Sequence, residues 1–394
     1  MTRIIPFSSI IAMLLVTTCV PFSGSTQWAP PPAVSAPATV QPDTPTVSVP
    51  SKPTAAPTSA ASPEPAAPPV PTPQLITADN AGRLSVFAHW ETSEPAALAW
   101  SPDGKTLATA VNDWSLHPQG GVSLFELPSL GLRWSVGLRV GDILFLNRGD
   151  QLIVSDLFHE TLTFMDGATG VLSRQLADPA CGSHAPSHLR LSGDDSMLAV
   201  ANSASGLNAA NIWVHLWDLT AGVCRGLFVR HGGELTTVDL SSDGQALLIG
   251  IFNAGPPYLA QVHLWDVPTR QLTCWFRSTA ATLNPEGDVV AVVNHETQLL
   301  QFYDAQDCRL LLSSEPDFPT LSRNYRLAYS FDGRLLAVGQ ESLRVMDTST
   351  GELLRDLGTE DVLEDVAFSP DGLYLASSSC YPCSVTLWAV VHDQ

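Results

Sequence analysis

The chain has 394 residues, of which 45% are hydrophobic and only 15% charged, enough apolar material for a sizeable core in one to three domains. Its formal net charge is −20, its only lysines are Lys52 and Lys105, and no stretch clusters arginines. That balance excludes a basic footprint for nucleic acid and fits a soluble acidic surface.

The first segment, MTRIIPFSSIIAMLLVTTCVPF, carries one positive charge at Arg3, then an apolar stretch from Ile10 to Val16, then small and polar residues up to Cys19. The apolar run is too short to span a bilayer and has the layout of an export signal. LVTTC resembles the lipobox of bacterial lipoproteins, with Thr18 where that family usually has Gly, Ala or Ser. The resemblance implies a lipidated Cys19 as the mature N-terminus. Cleavage near Ser23 to Ser25 and an uncleaved anchor are the alternatives, and all three export the remainder of the chain. Residues 1–19 are read as this signal and 20–77 as a linker. From Trp28 to Pro73 the linker is Pro, Ala, Thr, Ser and Val with almost no charge. Such a segment buries too little apolar surface to offset its ordering entropy. Its prolines favour polyproline II, which at about 3.1 Å per residue makes a stalk on the order of 140 Å long.

From residue 96 onward one two-part pattern returns seven times. The first part reads LAWSPDGKTLATA, ILFLNRGDQLIVS, LRLSGDDSMLAVA, VDLSSDGQALLIG, TLNPEGDVVAVVN, LAYSFDGRLLAVG and VAFSPDGLYLASS. The second part reads VSLFEL, LTFMDG, VHLWDL, VHLWDV, LQFYDA, LRVMDT and VTLWAV. Matched positions lie about 39 to 49 residues apart, the period of four-stranded propeller blades. SPDG between two alternating apolar runs is a hairpin turn: Pro102 pre-sets φ, Asp103 bonds the local backbone, and Gly104 accepts positive φ. In the second part Trp217, Trp265 and Trp388 occupy one equivalent place, where a wedge between blades needs filling. Asp166, Asp218, Asp266, Asp304 and Asp347 end that strand and are placed to cap the next turn.

These residues resemble the WD40 family of β-propellers over about residues 82–394. The resemblance implies an all-β, seven-bladed propeller of four-stranded antiparallel blades, here assigned to residues 78–394. The family's Gly-His pair before the inner strand is missing almost everywhere, and only His231 stands at the right distance. The His, Asp, Ser and Trp tetrad is therefore incomplete in most blades, which makes this a divergent, bacterial-type propeller. The seventh repeat stops after three strands, whereas GRLSVFAHWE, before the first repeat, is an orphan alternating run. Residues 84–88 are therefore expected to pair with 385–389 as the last blade's fourth strand, burying Leu84, Val86 and Phe87 and removing two exposed sheet edges.

Three connections between second and third strands are extended: NDWSLHPQGG, NSASGLNAANI and NAGPPYLAQ. In the family they share one face with the loops that join blades, and long loops on one face mark a binding surface. Trp114, His117, Asn202, Asn208, Asn253 and Tyr258 are the candidates there; tolerated insertion is the competing reading. Cys380 and Cys383, spaced to staple one loop around Pro382, are the disulfide candidates. Cys224, Cys274 and Cys308 recur near the starts of outer strands in successive blades and read as packing residues. Cys181, His184 and His188 have spacings a metal uses but no fourth ligand nearby, so no metal is expected. No GxSxG, HExxH or phosphate-cradling glycine loop is present, and neither catalytic residues nor a cofactor are assigned.

The expectation is an exported, membrane-tethered, monomeric propeller, touching the membrane only through its anchor. It binds a protein partner or extracellular ligand through the loop-rich face, without catalysis. The alternative is a lactonase- or glycosidase-like propeller enzyme with its site at the central channel. Carboxylates or histidines converging on the channel favour the enzyme, and an apolar or small-residue channel favours the platform.

Overall fold

The computed structural model describes residues 72–93, 95–111, 120–176, 186–204, 211–253, 259–294, 296–314, 325–358, 362–380 and 383–391. Cys19, the signal and the linker up to residue 71 lie outside them. So do Trp114, His117, Cys181, His184, Asn208 and Tyr258.

Each repeat folds as one antiparallel sheet. In the first blade the strands run, from the axis outward, Pro95–Trp100, Thr106–Val111, Gly121–Glu126 and Gly131–Val136. The other inner strands are Val140–Phe145, His188–Leu191, Glu234–Leu240, Ser278–Leu283, Arg326–Tyr329 and Val362–Phe368. Successive inner strands are neighbours and the last also neighbours the first, so seven sheets close a ring.

The turn after the inner strand explains why the repeat holds its shape. Ser101 Oγ donates to Asp103 at 2.7 Å and accepts the Thr106 N–H at 2.9 Å. The Ser–Asp bond recurs at Ser192–Asp194, Ser241–Asp243, Ser330–Asp332 and Ser369–Asp371. Gly104, Gly244, Gly333 and Gly372 have φ between 69° and 71°, the left-handed conformation that glycine adopts without strain. The aspartates ending the third strands do cap: Asp166 accepts the Thr169 N–H, Asp266 the Thr269 N–H, and Asp347 the N–H groups of Ser349 and Thr350.

The blades are held together by apolar wedges between neighbouring sheets. One wedge joins blades one and two through Val122, Leu124, Val140, Leu152 and Val154. Another joins blades seven and one through Leu98, Trp100, Leu107, Tyr374 and Leu387. Equivalent clusters occupy the remaining five junctions.

The orphan strand closes the ring. Ser85–Glu91 pairs with the strand Ser384–Val391, Ser85 opposite Ala389 and Glu91 opposite Ser384. The chain does more than add a strand: Ile76, Ala81 and Leu84 are buried between blades six and seven, against Leu343, Val345, Leu363 and Trp388. A short strand, Pro73–Gln74, pairs with Val390 and Val391 ahead of it. The expected burial of Val86 is corrected. A bulge between Val86 and Ala88 turns Val86 outward, 54% exposed, while Phe87 packs edge-on against Tyr374 at 5.3 Å.

The reading of Cys274 and Cys308 as packing residues is also corrected. Cys274, in the outer strand Gln271–Phe276 of blade four, is disulfide-bonded to Cys308, just before the outer strand Leu310–Ser313 of blade five, with Cα atoms 5.9 Å apart. These two outer-strand positions belong to neighbouring blades and meet at their junction. Cys224 is likewise disulfide-bonded.

Candidate functional site: the central channel

The seven inner strands are edge strands. Their outward side pairs with the second strand, and the side facing the axis has N–H groups with no ladder partner. They enclose a channel of about 1570 Å³, larger than the ~300–1,000 Å³ of common ligand sites.

Three aspartates answer part of that need for acceptors. Asp142 Oδ1 accepts its own strand's Ile143 N–H at 2.8 Å, and Oδ2 accepts Leu189 N–H of the next blade at 2.8 Å. Asp365 does the same with Val366 and, across the closing junction, with Leu98 of blade one, both at 2.8 Å. Asp239 takes Leu240 at 2.9 Å and, from blade five, the Leu283 N–H and Thr282 hydroxyl at 2.8 Å. Each carboxylate thus ties two inner strands together, at junctions two–three, seven–one and four–five.

Their setting perturbs them. Burial pushes Asp142 up to about 6, against the opposing pull of Arg190, whose Nη1 lies 3.4 Å from Oδ2. Burial also raises Asp365, with the backbone bond from Leu98 and the guanidinium groups of Arg190 and Arg326 working the other way. His188, at the head of its inner strand, is held neutral: burial, then Arg190 and Arg326, bring it down to about 3. Its Nδ1 lies 3.0 Å from Ser187 Oγ. Arg326 Nε donates to the Glu364 carbonyl, and its Nη2 lies 3.6 Å from the Glu364 carboxylate. Burial raises the Tyr329 hydroxyl, which has no hydrogen-bond partner among the described residues.

Of the loop-face candidates, Asn202 lines the channel beside its cross-strand partner Trp213. Asn253 is placed through its backbone, opposite Leu259. The Sγ atoms of Cys380 and Cys383 lie 3.2 Å apart, as hydrogen-bonded thiols, where the last blade's second strand turns into its third. Carboxylates and a histidine do converge on the channel, yet both oxygens of Asp142, Asp239 and Asp365 are engaged by backbone N–H groups, and the Glu364 carboxylate faces Arg326. Sequence reasoning missed these residues. Their one signal is an acid inside an apolar inner-strand run, in GDILFL, TTVDLS and LEDVAF, and the three do not share one repeat position.

In the last blade Trp388 Nε1 donates to Ser377 Oγ at 2.9 Å. In blade four the matching second-strand residue is Ile249, and Trp265 Nε1 is buried with no acceptor among the described residues. The family model described as WD domain, G-beta repeat matches residues 351–389. That span holds blade six's outer strand, Leu353–Asp356, followed by three strands of blade seven. The sequence repeat is therefore offset from the blade by one strand, so a ring made of such units needs its fourth strand from the other end of the chain. The closed ring of seven antiparallel sheets is a seven-bladed β-propeller, and its segment 351–389 is similar to the WD40 repeat.

Proposed function

We propose that the protein is an exported propeller, tethered to the membrane through a lipidated Cys19. In this reading it binds a protein partner or extracellular ligand through the face bearing the extended second-to-third-strand loops, without catalysis. WD40 propellers generally act as protein-interaction platforms, although a fold by itself does not choose a ligand. Export is supported chiefly by the covalent link Cys274–Cys308, a bond type that persists in oxidising compartments. The signal-like residues 1–19 and the proline-rich stalk point the same way. Binding without catalysis is supported by the carboxylates of Asp142, Asp239 and Asp365 being engaged by the backbone.

Two measurements test this reading. Fractionation with mass spectrometry of the mature N-terminus should find the chain with membranes and lipid on Cys19; an unmodified N-terminus at another residue overturns the anchor. Affinity capture from the native envelope should then recover a partner that is lost in the triple variant Trp114→Ala, His117→Ala, Tyr258→Ala. The partner should be kept in Phe331→Ser, which alters a 73% exposed residue in a turn on the opposite face. The reverse pattern places binding on the wrong face and overturns the reading.

A further inference from the structure

The described cysteines are not all in one state. Cys274 and Cys308 are covalently joined, whereas Cys380 and Cys383 stand as thiols with their sulfurs 3.2 Å apart. We infer that Cys380 and Cys383 form a thiol–disulfide exchange site at the second-to-third-strand connection of blade seven, and that its substrates are accessible disulfides. The site is separate from partner binding on that face, and either can fail without the other.

The backbone holds the two sulfurs ready. The second strand of blade seven, Leu375–Cys380, ends on the first cysteine, and the third, Ser384–Val391, begins one residue after the second. Ser379 stands opposite Ser384 with their Oγ atoms 3.0 Å apart, so the two arms are fixed just behind the cysteines. Cys380 also pairs with Val362 of the inner strand, and the Cys383 carbonyl accepts the Thr92 N–H at 3.0 Å. The sulfurs of a disulfide lie about 2.05 Å apart, so closing the pair takes a movement of only about 1 Å. Small side-chain rotations supply that. The reduced and oxidised forms therefore fit one backbone frame, as a cycling pair requires.

Loop length makes the bond easy to reopen. In the chain-entropy account a cross-link stabilises a fold more, the longer the loop it closes. Cys274–Cys308 spans a sequence separation of 34, and Cys380–Cys383 one of 3. The difference amounts to about 30-fold in the equilibrium constant for reduction, or about 45 mV for a two-electron couple. The longer link also joins two blades at a buried junction, where Cys274 packs among Leu248, Val262 and Leu264. One pair is suited to hold and the other to exchange.

Burial assigns the two sulfurs their roles. Cys383 is half-buried and meets the substrate, whereas Cys380 is only 9% exposed and resolves the intermediate. The Cys383 thiol loses its proton to solvent, and its sulfur attacks one sulfur of the incoming disulfide. The other half is expelled and takes up a proton. Cys380 then loses its proton, attacks the Cys383 sulfur and expels the second half in the same way. Two electrons pass from the pair to the substrate, which leaves as two thiols, while Cys380 and Cys383 become joined. A dithiol running the sequence backwards resets the pair.

The test is a redox titration of the full chain in mixtures of reduced and oxidised dithiothreitol, with both pairs read by alkylation and peptide mapping. Cys380–Cys383 should be half reduced at a ratio about 30-fold more oxidising than Cys274–Cys308. A second arm uses oxidised glutathione as the substrate. The wild-type chain, reduced at Cys380 and Cys383, should release both halves as glutathione and retain none, whereas Cys380→Ser should trap glutathione on Cys383. Both pairs reducing together, Cys274–Cys308 reducing first, or a folded Cys380→Ser chain with no glutathione on Cys383 overturns the proposal. If Cys380→Ser does not fold, the wild-type chain decides, and failure to release glutathione overturns the proposal.

Discussion

Replacing Asp142 by alanine should destabilise the protein by an amount that depends on pH in a defined direction. The substitution strands the N–H groups of Ile143 and Leu189, on residues only 3% and 1% exposed. An unsatisfied buried donor costs about 1–3 kcal/mol, so the two together cost roughly 2–6 kcal/mol. The ionised carboxylate carries its own penalty. Burial moves Asp142 from 3.8 up to about 6, which corresponds to about 3 kcal/mol between its two protonation states. Because the folded value is raised, the contribution of Asp142 is fully present below the unfolded value of 3.8 and is lost as pH rises through about 6. The destabilisation by Asp142→Ala should therefore be greatest on the acid side and shrink by about 3 kcal/mol toward neutrality. Asp365 is raised too, but it is common to both proteins and cancels to first order in the difference. Urea unfolding of both proteins, stepped across the interval from 3.8 to about 6, reads this directly. A destabilisation that stays constant, or that grows as pH rises, would refute the assignment of a buried carboxylate joining blades two and three.

Further predictions concern the cysteines and the tryptophans. Replacing Cys274 and Cys308 together by serine should lower stability by about 2–4 kcal/mol in unreduced protein, as expected for cross-linking a loop of this length, and nothing after reduction; equal losses in both conditions would show that the bond does not form. Trp388→Phe should cost more than Trp265→Phe, because the first loses its bond to Ser377 and the second sheds a buried N–H that has no acceptor; the order is checked by denaturant midpoints, and the reverse order refutes it. The sulfurs of Cys380 and Cys383, 3.2 Å apart, should close to a disulfide in protein isolated without reductant; complete alkylation of both thiols in that preparation would exclude the staple.

The parts of this fold that were legible in the sequence are those that repeat. The Ser–Asp turns, the alternating strands and the capping aspartates are local devices, each made by residues within a few positions of one another. They show themselves wherever the pattern recurs. The closing strand was legible by subtraction, since a blade lacked a strand at one terminus and a strand lacked a blade at the other. Features that depend on single blades were hidden. Asp142 and Asp365 stand four residues before the turn position, Asp239 only two, and each reaches across to a different neighbour. The bond between Cys274 and Cys308 was hidden by the repeat itself, because equivalent positions suggest equivalent packing roles. The outward turn of Val86 came from a bulge that strict alternation cannot anticipate. Among the loop-face residues, Asn202 is placed at the channel; Trp114, His117, Asn208 and Tyr258 belong to segments outside the described residues.

The two faces and the channel exist only if the ring is closed by the N-terminal strand, and one cross-link tests that closure. His89 stands opposite Thr386, its Nδ1 2.9 Å from the threonine Oγ1. In the double variant His89→Cys, Thr386→Cys, oxidation should join these two cysteines within a single chain, and peptide mapping of the monomer should recover the linked pair. Free thiols at both positions, or a link found only between two chains, would contradict the closed ring.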